Sequence, residues 1–284
     1  PELTLDSMNF DRGHKVTFAP VKALAAARQL PVIQPDRLSL PDVADALRAW
    51  QPDLGVVAAY GRIIPEPLLT IPRLGMINVH ASLLPKYRGA APVHRAVMDG
   101  EPETGVTIMR LVKELDAGAM FDRVRRPIGP DDTSEVVERD LAELGADLLL
   151  DVIDRIVDGT AREEPQDASK ATYAHRLTKD EGLIDWSQPS RAIHNRVRGL
   201  YPWPHAYTFL NGSRLVVRRS RPDDTAVDAP PGTVLSASAD AITVATGEGQ
   251  LAILELQPEG RRPMPARDFL AGHPMAPGTR LSSA

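Results

Sequence analysis

A chain of 284 residues with 43% hydrophobic and 25% charged side chains has ordinary globular composition and enough length for two modest domains. It holds no cysteine, which excludes disulfides, thiolate nucleophiles and cysteine-ligated metals, and no apolar run reaches the roughly 18 residues of a membrane helix, so a soluble protein is expected. The formal charge of −5 argues against a general nucleic-acid binder, but residues 185–284 hold eleven arginines, no lysine and nine carboxylates, a local balance of +2 that leaves −7 on residues 1–184. Solvated faces are the plainer account of such a split, with a phosphate-contacting surface as the alternative.

In chain order, LPDVADALRAW (40–50) has apolar residues at helical spacing behind Asp42, and LGVVAAY (54–60) is a buried-strand run ended by Gly61. GMINVH (75–80) is a second strand run. APVHRAVMDG (91–100) reads as a short helix with Pro92 in its first turn and Gly100 at its end. TGVTIMRL (104–111), rich in β-branched residues, is a third strand, and Thr133 or Ser134 caps a long amphipathic helix over 134–159. Strands buried on both faces and alternating with helices predict an α/β fold with a doubly wound, mostly parallel sheet.

From about residue 160 the pattern changes. Residues 161–184 are polar and carry little periodicity, as a linker would, and a short helix follows at 190–200. Asn211-Gly212 and Gly247-Glu248-Gly249 then punctuate alternating runs as hairpin turns, which predicts a small β-barrel. The expected organisation is a catalytic domain over 1–160, a linker over 161–184 and a barrel domain over 185–284.

Within the second strand, Asn78 and His80 are two apart and share a face, while Ile77 and Val79 share the other. The strand ends at or just after His80, because ASLLPKYRG begins a loop. In open α/β sheets ligands bind outside the carboxyl ends of strands. The pair suits acyl transfer: an Asn amide can donate to an oxyanion developing from a carbonyl, and a His can pass protons near neutral pH. Taken alone, N-x-H is better read as a satisfied buried histidine beside a turn residue. Asp116, in KELDAGAMF after the third strand, adds a carboxylate that can orient the His, hold its charged form or relay a proton, with Gly118 letting the loop bend. A loop Asp capping its neighbours accounts for that residue equally well.

Other constellations point nowhere. His94, His175, His194, His205 and His273 lack metal-ligand spacing, no phosphate-binding glycine loop occurs, and no Ser sits in a G-x-S-x-G elbow.

INVHASLLPKYRGAAPVHRAVMDGEPETGVTIMRLVKELDAGAMF resembles the signature of the 10-formyltetrahydrofolate-dependent formyltransferase family: N-x-H, S-L-L-P, R-G-x-x-P, T-G-V-T and an L-D-x-G loop in register. VVAAYGRIIP upstream and YAHRLTKDEGLIDWS downstream match too, so the resemblance runs from about residue 20 to the end. It is closest to the branch that moves a formyl group from 10-formyltetrahydrofolate to the α-amine of methionine on initiator tRNA. The resemblance implies a catalytic trio of Asn78, His80 and Asp116. It implies a folate-contacting loop of Ser82, Leu83, Leu84 and Pro85, and a pterin-pocket segment of Arg62, Ile63 and Ile64. It also implies an OB-like barrel that helps hold tRNA, with Arg196, Arg198, Arg214, Arg218, Arg219, Arg261 and Arg262 as candidate phosphate contacts. No metal, no membrane and a monomer in the bacterial cytoplasm are expected, an organellar setting being left open.

The same chemistry serves relatives that formylate glycinamide ribonucleotide or sugar amines or that use water as acceptor. A non-catalytic RNA-binding protein with a degenerate transferase domain is the alternative of another class. Family members open with a strand and a G-T-P turn, and a basic, Gly-rich loop precedes the segment matched by APVKALA (19–25). Here HKVTFAPVKA runs through without that loop. The expectation is that the missing pieces belong to the molecule but not to the residues at hand; if they are truly lost, tRNA recognition is altered while the trio survives.

Overall fold

The computed structural model describes residues 20–238 and 240–282, and before them the backbone of three two-residue strands, β1 (Thr4–Leu5), β2 (Asn9–Phe10) and β3 (Val16–Thr17). The expected opening strand and basic loop lie outside the described residues. β2 and β3 pair antiparallel. After α1 (Pro20–Ala27), β4 (Val32–Ile33) pairs in parallel with β1. Two compact units divide the chain, one of Pro1–Arg88, Val106–Val124 and Gly145–Ala171, the other of Gly89–Gly105, Arg125–Leu144 and Thr172–Ala284.

In the first unit, α2 (Pro41–Ala49) begins with the proline whose missing N–H costs nothing at a first helical position. Asp42 in its first turn and Arg48 in its last oppose the helix dipole. Its apolar stripe, Val43 and Leu47, is buried with Leu38 and Leu68, and Trp50 and Ile64 pack on the cluster. β5 (Gly55–Ala58) leads through α3 (Glu66–Leu69) to β6 (Met76–His80), with which it pairs in parallel.

β7 (Arg88–Gly89) and α4 (Pro92–Met98) intervene before β8 (Glu103–Arg110), and β9 (Met120–Pro127) completes a sheet in the order β5-β6-β8-β9. This sheet is mixed, because β8 runs antiparallel to β6, with Ile77 opposite Arg110 and His80 opposite Thr107. Six successive residues of β8, Thr104 and Thr107 among them, are buried, as expected of a β-branched-rich strand covered on both faces. β5 differs from the expected fully buried strand: Val56 is 44% exposed and Ala58 is exposed too, the alternation of a strand with one covered face.

α5 (Ser134–Val157) is the long predicted helix. Thr133 caps it, its hydroxyl accepting from the Val136 N–H at 3.4 Å, while the buried Ser134 hydroxyl donates to the Gly199 carbonyl at 2.7 Å. In the second unit the Ala90 and Ala91 N–H groups donate to the carbonyl of Ala174 in β10 (Tyr173–Ala174), ahead of α6 (Ser190–Gly199).

β11 (Ala206–Leu210) and β12 (Ser213–Asp223) form the hairpin predicted at Asn211-Gly212, whose φ values of 50° and 80° are those of a two-residue loop matched to strand twist. β13 (Val234–Ala237), β14 (Ile242–Ala245), β15 (Gln250–Pro258), β16 (Met264–Pro265), α7 (Ala266–Gly272) and β17 (Leu281–Ser282) complete the unit. The strand order is β13-β14-β15-β12-β11-β17 with β16 on β15, every pairing antiparallel. Its core joins Trp186, Ile193, Val217, Ile242, Ile253, Leu256 and Phe269. Trp186 keeps its indole N–H satisfied by donating to the Thr208 hydroxyl at 3.0 Å, and that hydroxyl donates on to the Ser282 carbonyl at 2.8 Å.

Two histidines of this unit resist protonation. His194 is buried between the Ser220 hydroxyl and the Pro130 carbonyl, and desolvation lowers its pKa. His205 is brought down to about 4 by burial and then by the charges of Arg218 and Arg214. Because the unfolded chain takes up these protons first, their contribution is intact above about pH 6.5 and is lost as pH falls towards 4. Urea midpoints measured between pH 7.5 and pH 4.5 are expected to fall over that window, and His205→Asn, which suits the residue's φ of 66°, is expected to flatten the decline.

Candidate active site

The period of two along β6 puts Asn78 and His80 on one face, His80 5% exposed and Asn78 half-buried. The loop after β6 turns back at once: the Ser82 N–H donates to the His80 carbonyl at 2.9 Å, and by Tyr87 the chain has returned to the imidazole. The Tyr87 carbonyl lies 3.0 Å from His80 Nε2. A carbonyl only accepts, so Nε2 carries the proton and Nδ1 keeps the lone pair. Nδ1 faces Asp116 Oδ2 at 3.7 Å. Desolvation lowers the His80 pKa, outweighing the Asp116 charge and the Tyr87 hydrogen bond, which both raise it. His80 is therefore a neutral imidazole at pH 7, with its one basic nitrogen turned to a carboxylate.

Asp116 reaches that position by a route that the sequence does not suggest. Parallel strands would place the loops after β6 and β8 at one edge of the sheet. Since β8 is antiparallel, its carboxyl end at Arg110 lies beside Ile77, and the loop 111–119 has to come back along the sheet to meet His80. Three devices hold the return. The Arg110 N–H donates to the Ala119 carbonyl at 2.8 Å. Asp116 takes φ 47°, a left-handed conformation that Asp tolerates better than most residues. At Gly118 a β-carbon would lie 1.9 Å from the Arg110 carbonyl oxygen, so only glycine fits.

A side chain from beyond residue 160 braces the same loop. Gln166 Nε2 donates to the Asp116 and Gly118 carbonyls, each at 2.8 Å, and its Oε1 accepts from Arg88 Nε at 3.1 Å and Nη2 at 2.7 Å. Arg88 is only 7% exposed. Paired hydrogen bonds between Met120 and Glu164, both 2.8 Å, fix the approach of that segment. Arg88 is the arginine of the R-G-x-x-P run, to which the sequence attaches no role, and Gln166, in a polar, aperiodic stretch, gives no signal.

The predicted folate-contacting residues divide. Ser82 is fully buried, its hydroxyl donating to the Lys86 carbonyl at 2.7 Å. Leu84 is buried with Met109 and Met120, and its N–H donates to the Thr107 hydroxyl, which in turn donates to the Ser82 carbonyl at 2.7 Å. These two side chains build the loop, and Leu83 and Pro85 keep exposed surface. Of the upstream segment, Arg62 donates to the Asp36 carbonyl at 2.9 Å, Ile63 is 86% exposed, and Ile64 packs on the α2 cluster. Among the described residues no group of three or more His, Asp or Glu side chains is disposed to hold a metal.

The candidate phosphate-contacting arginines divide as well. Arg198 is 7% exposed and directs its donors to the Gly129 and Asp132 carbonyls and to Asn195, so it is a structural residue rather than a surface charge. Arg196 Nε donates to the Glu181 carbonyl. Arg214 lies 3.9 Å over the Tyr207 ring and Arg218 5.1 Å over Tyr201, each Nε buried without a hydrogen-bond partner among the described residues. Arg219, Arg261 and Arg262 are exposed. Arg218 and Arg219 both face outward because the register of β12 against β15 slips on either side of Arg219, returning Ser220 to the interior.

An amide and an imidazole share one strand face, opposed by a carboxylate, a set chemically suited to acyl transfer between amines, and the chain belongs to the formyl transferase family. The model described as "Formyl transferase" matches residues 6–153, and "Formyl transferase, C-terminal domain" matches residues 176–274. Within that family the chain is similar to methionyl-tRNA formyltransferases. It is 45% identical to that of Methylococcus capsulatus over 96% of this chain and 88% of the relative, and 46% identical to that of Trichlorobacter lovleyi over 95% and 85%.

Solved structures share the fold at lower identity. One is HypX from Aquifex aeolicus in complex with tetrahydrofolic acid (TM-score 0.63, 20% identity, 86% of this chain and 43% of that chain). Another is an N-formyltransferase from Helicobacter canadensis in complex with folinic acid and dTDP-3-aminofucose (TM-score 0.63, 18% identity, 86% and 84%).

Gly118→Ala tests the returning loop: the clash with the Arg110 carbonyl is expected to cost about 1–3 kcal/mol in urea unfolding. An unchanged midpoint would mean that the loop does not need this close approach.

Proposed function

We propose that the protein transfers the formyl group of 10-formyltetrahydrofolate to the α-amine of methionyl initiator tRNA, for translation initiation. The observation that carries this reading is the meeting of Asn78, His80 and Asp116 in a chain about 45% identical, over nearly its whole length, to methionyl-tRNA formyltransferases. Both the folate and the tRNA enter as substrates. Leu83 and Pro85, with the exposed Ile63, are the surfaces proposed to meet the folate. Residues 185–284 supply the arginines proposed to meet RNA phosphates. No helix among the described residues is long and apolar enough to cross a membrane, and a monomer in the cytoplasm fits this role.

The chemistry follows from the protonation states. The neutral amine attacks the formyl carbon, an N–C bond forms, and the carbonyl oxygen becomes an oxyanion to which the Asn78 amide donates. The attacking nitrogen, now cationic, gives its excess proton to His80 Nδ1, since Nε2 is already committed to the Tyr87 carbonyl. The imidazolium so formed faces the Asp116 carboxylate, which offsets part of the cost of a charge in a buried place. Returning that proton to N10 of the folate breaks the old C–N bond and restores the neutral ring. The protein forms no covalent intermediate.

Formyl transfer measured with Met-charged initiator tRNA, elongator Met-tRNA, glycinamide ribonucleotide, a sugar amine and water as competing acceptors is expected to favour the initiator species. Turnover with another acceptor alone would move the protein to another branch of the family. Asn78→Ala is expected to lower kcat by about 10²–10³ and His80→Ala by about 10²–10⁴, with far-ultraviolet circular dichroism unchanged. A loss below threefold would remove these residues from the chemistry. Arg219→Ala is expected to weaken tRNA binding and to reduce the slope of log K against log salt by about one. Arg198→Ala is expected to lower stability instead, as its backbone partners lose their donors.

A further inference from the structure

Gln166 makes four hydrogen bonds that use both ends of its amide, two to the loop that carries Asp116 and two to Arg88. Two carbonyls on one side and a guanidinium on the other leave one workable orientation: the –NH₂ towards Asp116 and Gly118, the oxygen towards Arg88. The carbonyls it holds belong to the left-handed Asp116 and to Gly118, the residues where the loop is most constrained. The loop that runs back along the sheet is anchored near its ends by Leu111 N–H to the Met76 carbonyl at 2.9 Å and Arg110 N–H to the Ala119 carbonyl at 2.8 Å, and Gln166 holds the stretch that places Asp116 3.7 Å from His80. Resting on the proposed reading of the trio, we infer that Gln166 is a positioning residue for the formyl transfer, fixing the Asp116 carboxylate against His80 with the buried Arg88 as its brace.

Chemical consequences follow from the donor count. Gln166→Glu keeps the side-chain length and strengthens the pair with Arg88, but it replaces two N–H donors by an oxygen facing two carbonyls, so the loop is pushed away. Gln166→Met keeps the length and removes both interactions. If the amide only stabilised the fold, Gln166→Glu would lower the unfolding midpoint and leave turnover per folded molecule unchanged. If it positions Asp116, turnover falls and the loss vanishes once Asp116 has no charge to position.

The test is steady-state formyl transfer to initiator Met-tRNA by the full chain and its Gln166→Glu, Gln166→Met, Asp116→Asn and Gln166→Glu/Asp116→Asn variants, with urea midpoints alongside. Gln166→Glu is expected to lower kcat about tenfold or more with both KM values within about twofold. In the Asp116→Asn background the same substitution is expected to change kcat less than about twofold. Should Gln166→Glu fold poorly, Gln166→Met carries the same comparison. Equal losses in both backgrounds, or a raised KM with unchanged kcat, would overturn the positioning role while the function stands. Wild-type kcat in Asp116→Asn would overturn the reading of the trio on which it rests.

Discussion

The site depends on a neutral imidazole kept dry beside a carboxylate. Burial and Asp116 pull the His80 proton equilibrium in opposite directions, and burial prevails. On the proposed reading of the trio, that balance lets the ring accept a proton from an attacking amine and release it again. Without that burial, Asp116 and the Tyr87 hydrogen bond would both favour the charged ring. The Tyr87 carbonyl completes the arrangement by fixing which nitrogen is basic. The buried Ser82, the Leu84 side chain and the Thr107 hydroxyl hold the loop that brings Tyr87 back, so residues matched to ligand contact are here also the means of tautomer control.

Much of this is legible in the sequence, and the limit is a physical one. Alternation along INVH puts Asn78 and His80 on one face whatever their neighbours are, because a strand's side chains have a period of two. Gly100, Asn211-Gly212 and Gly247-Glu248-Gly249 mark ends and turns because few residues tolerate the backbone angles found there. Strand direction leaves no such mark: TGVTIMRL reads alike in a parallel or an antiparallel setting, so the return of the Asp116 loop emerges only from the register of β8. Arg198 and Ser134 illustrate the same limit, since a polar residue satisfied by a distant carbonyl looks like any surface residue until the chain is folded. Gln166 is the extreme case, lying 50 positions from the carbonyl that it holds.

The two compact units solve the problem of polar groups in different ways. In the barrel, Trp186, Thr208 and Ser282 pass hydrogen bonds in series through a core otherwise made of aliphatic side chains, which leaves no buried donor idle along that line. Around His80 the polar groups are pitted against one another, a carbonyl at one ring nitrogen and a carboxylate 3.7 Å from the other. The first pattern suits a platform and the second suits a reactive centre.

The slip in β12 has a consequence for how the barrel's charge is specified. Strict alternation after Val217 would turn Arg219 inward and Ser220 outward, placing a guanidinium among Ile253 and Leu256. One extra residue of slack avoids this and presents two adjacent arginines to the outside. The positive face is thus a matter of chain length as much as of composition. Deleting either arginine would remove that slack and leave the rest of the strand in phase, with Ser220 still inward and one outward charge fewer.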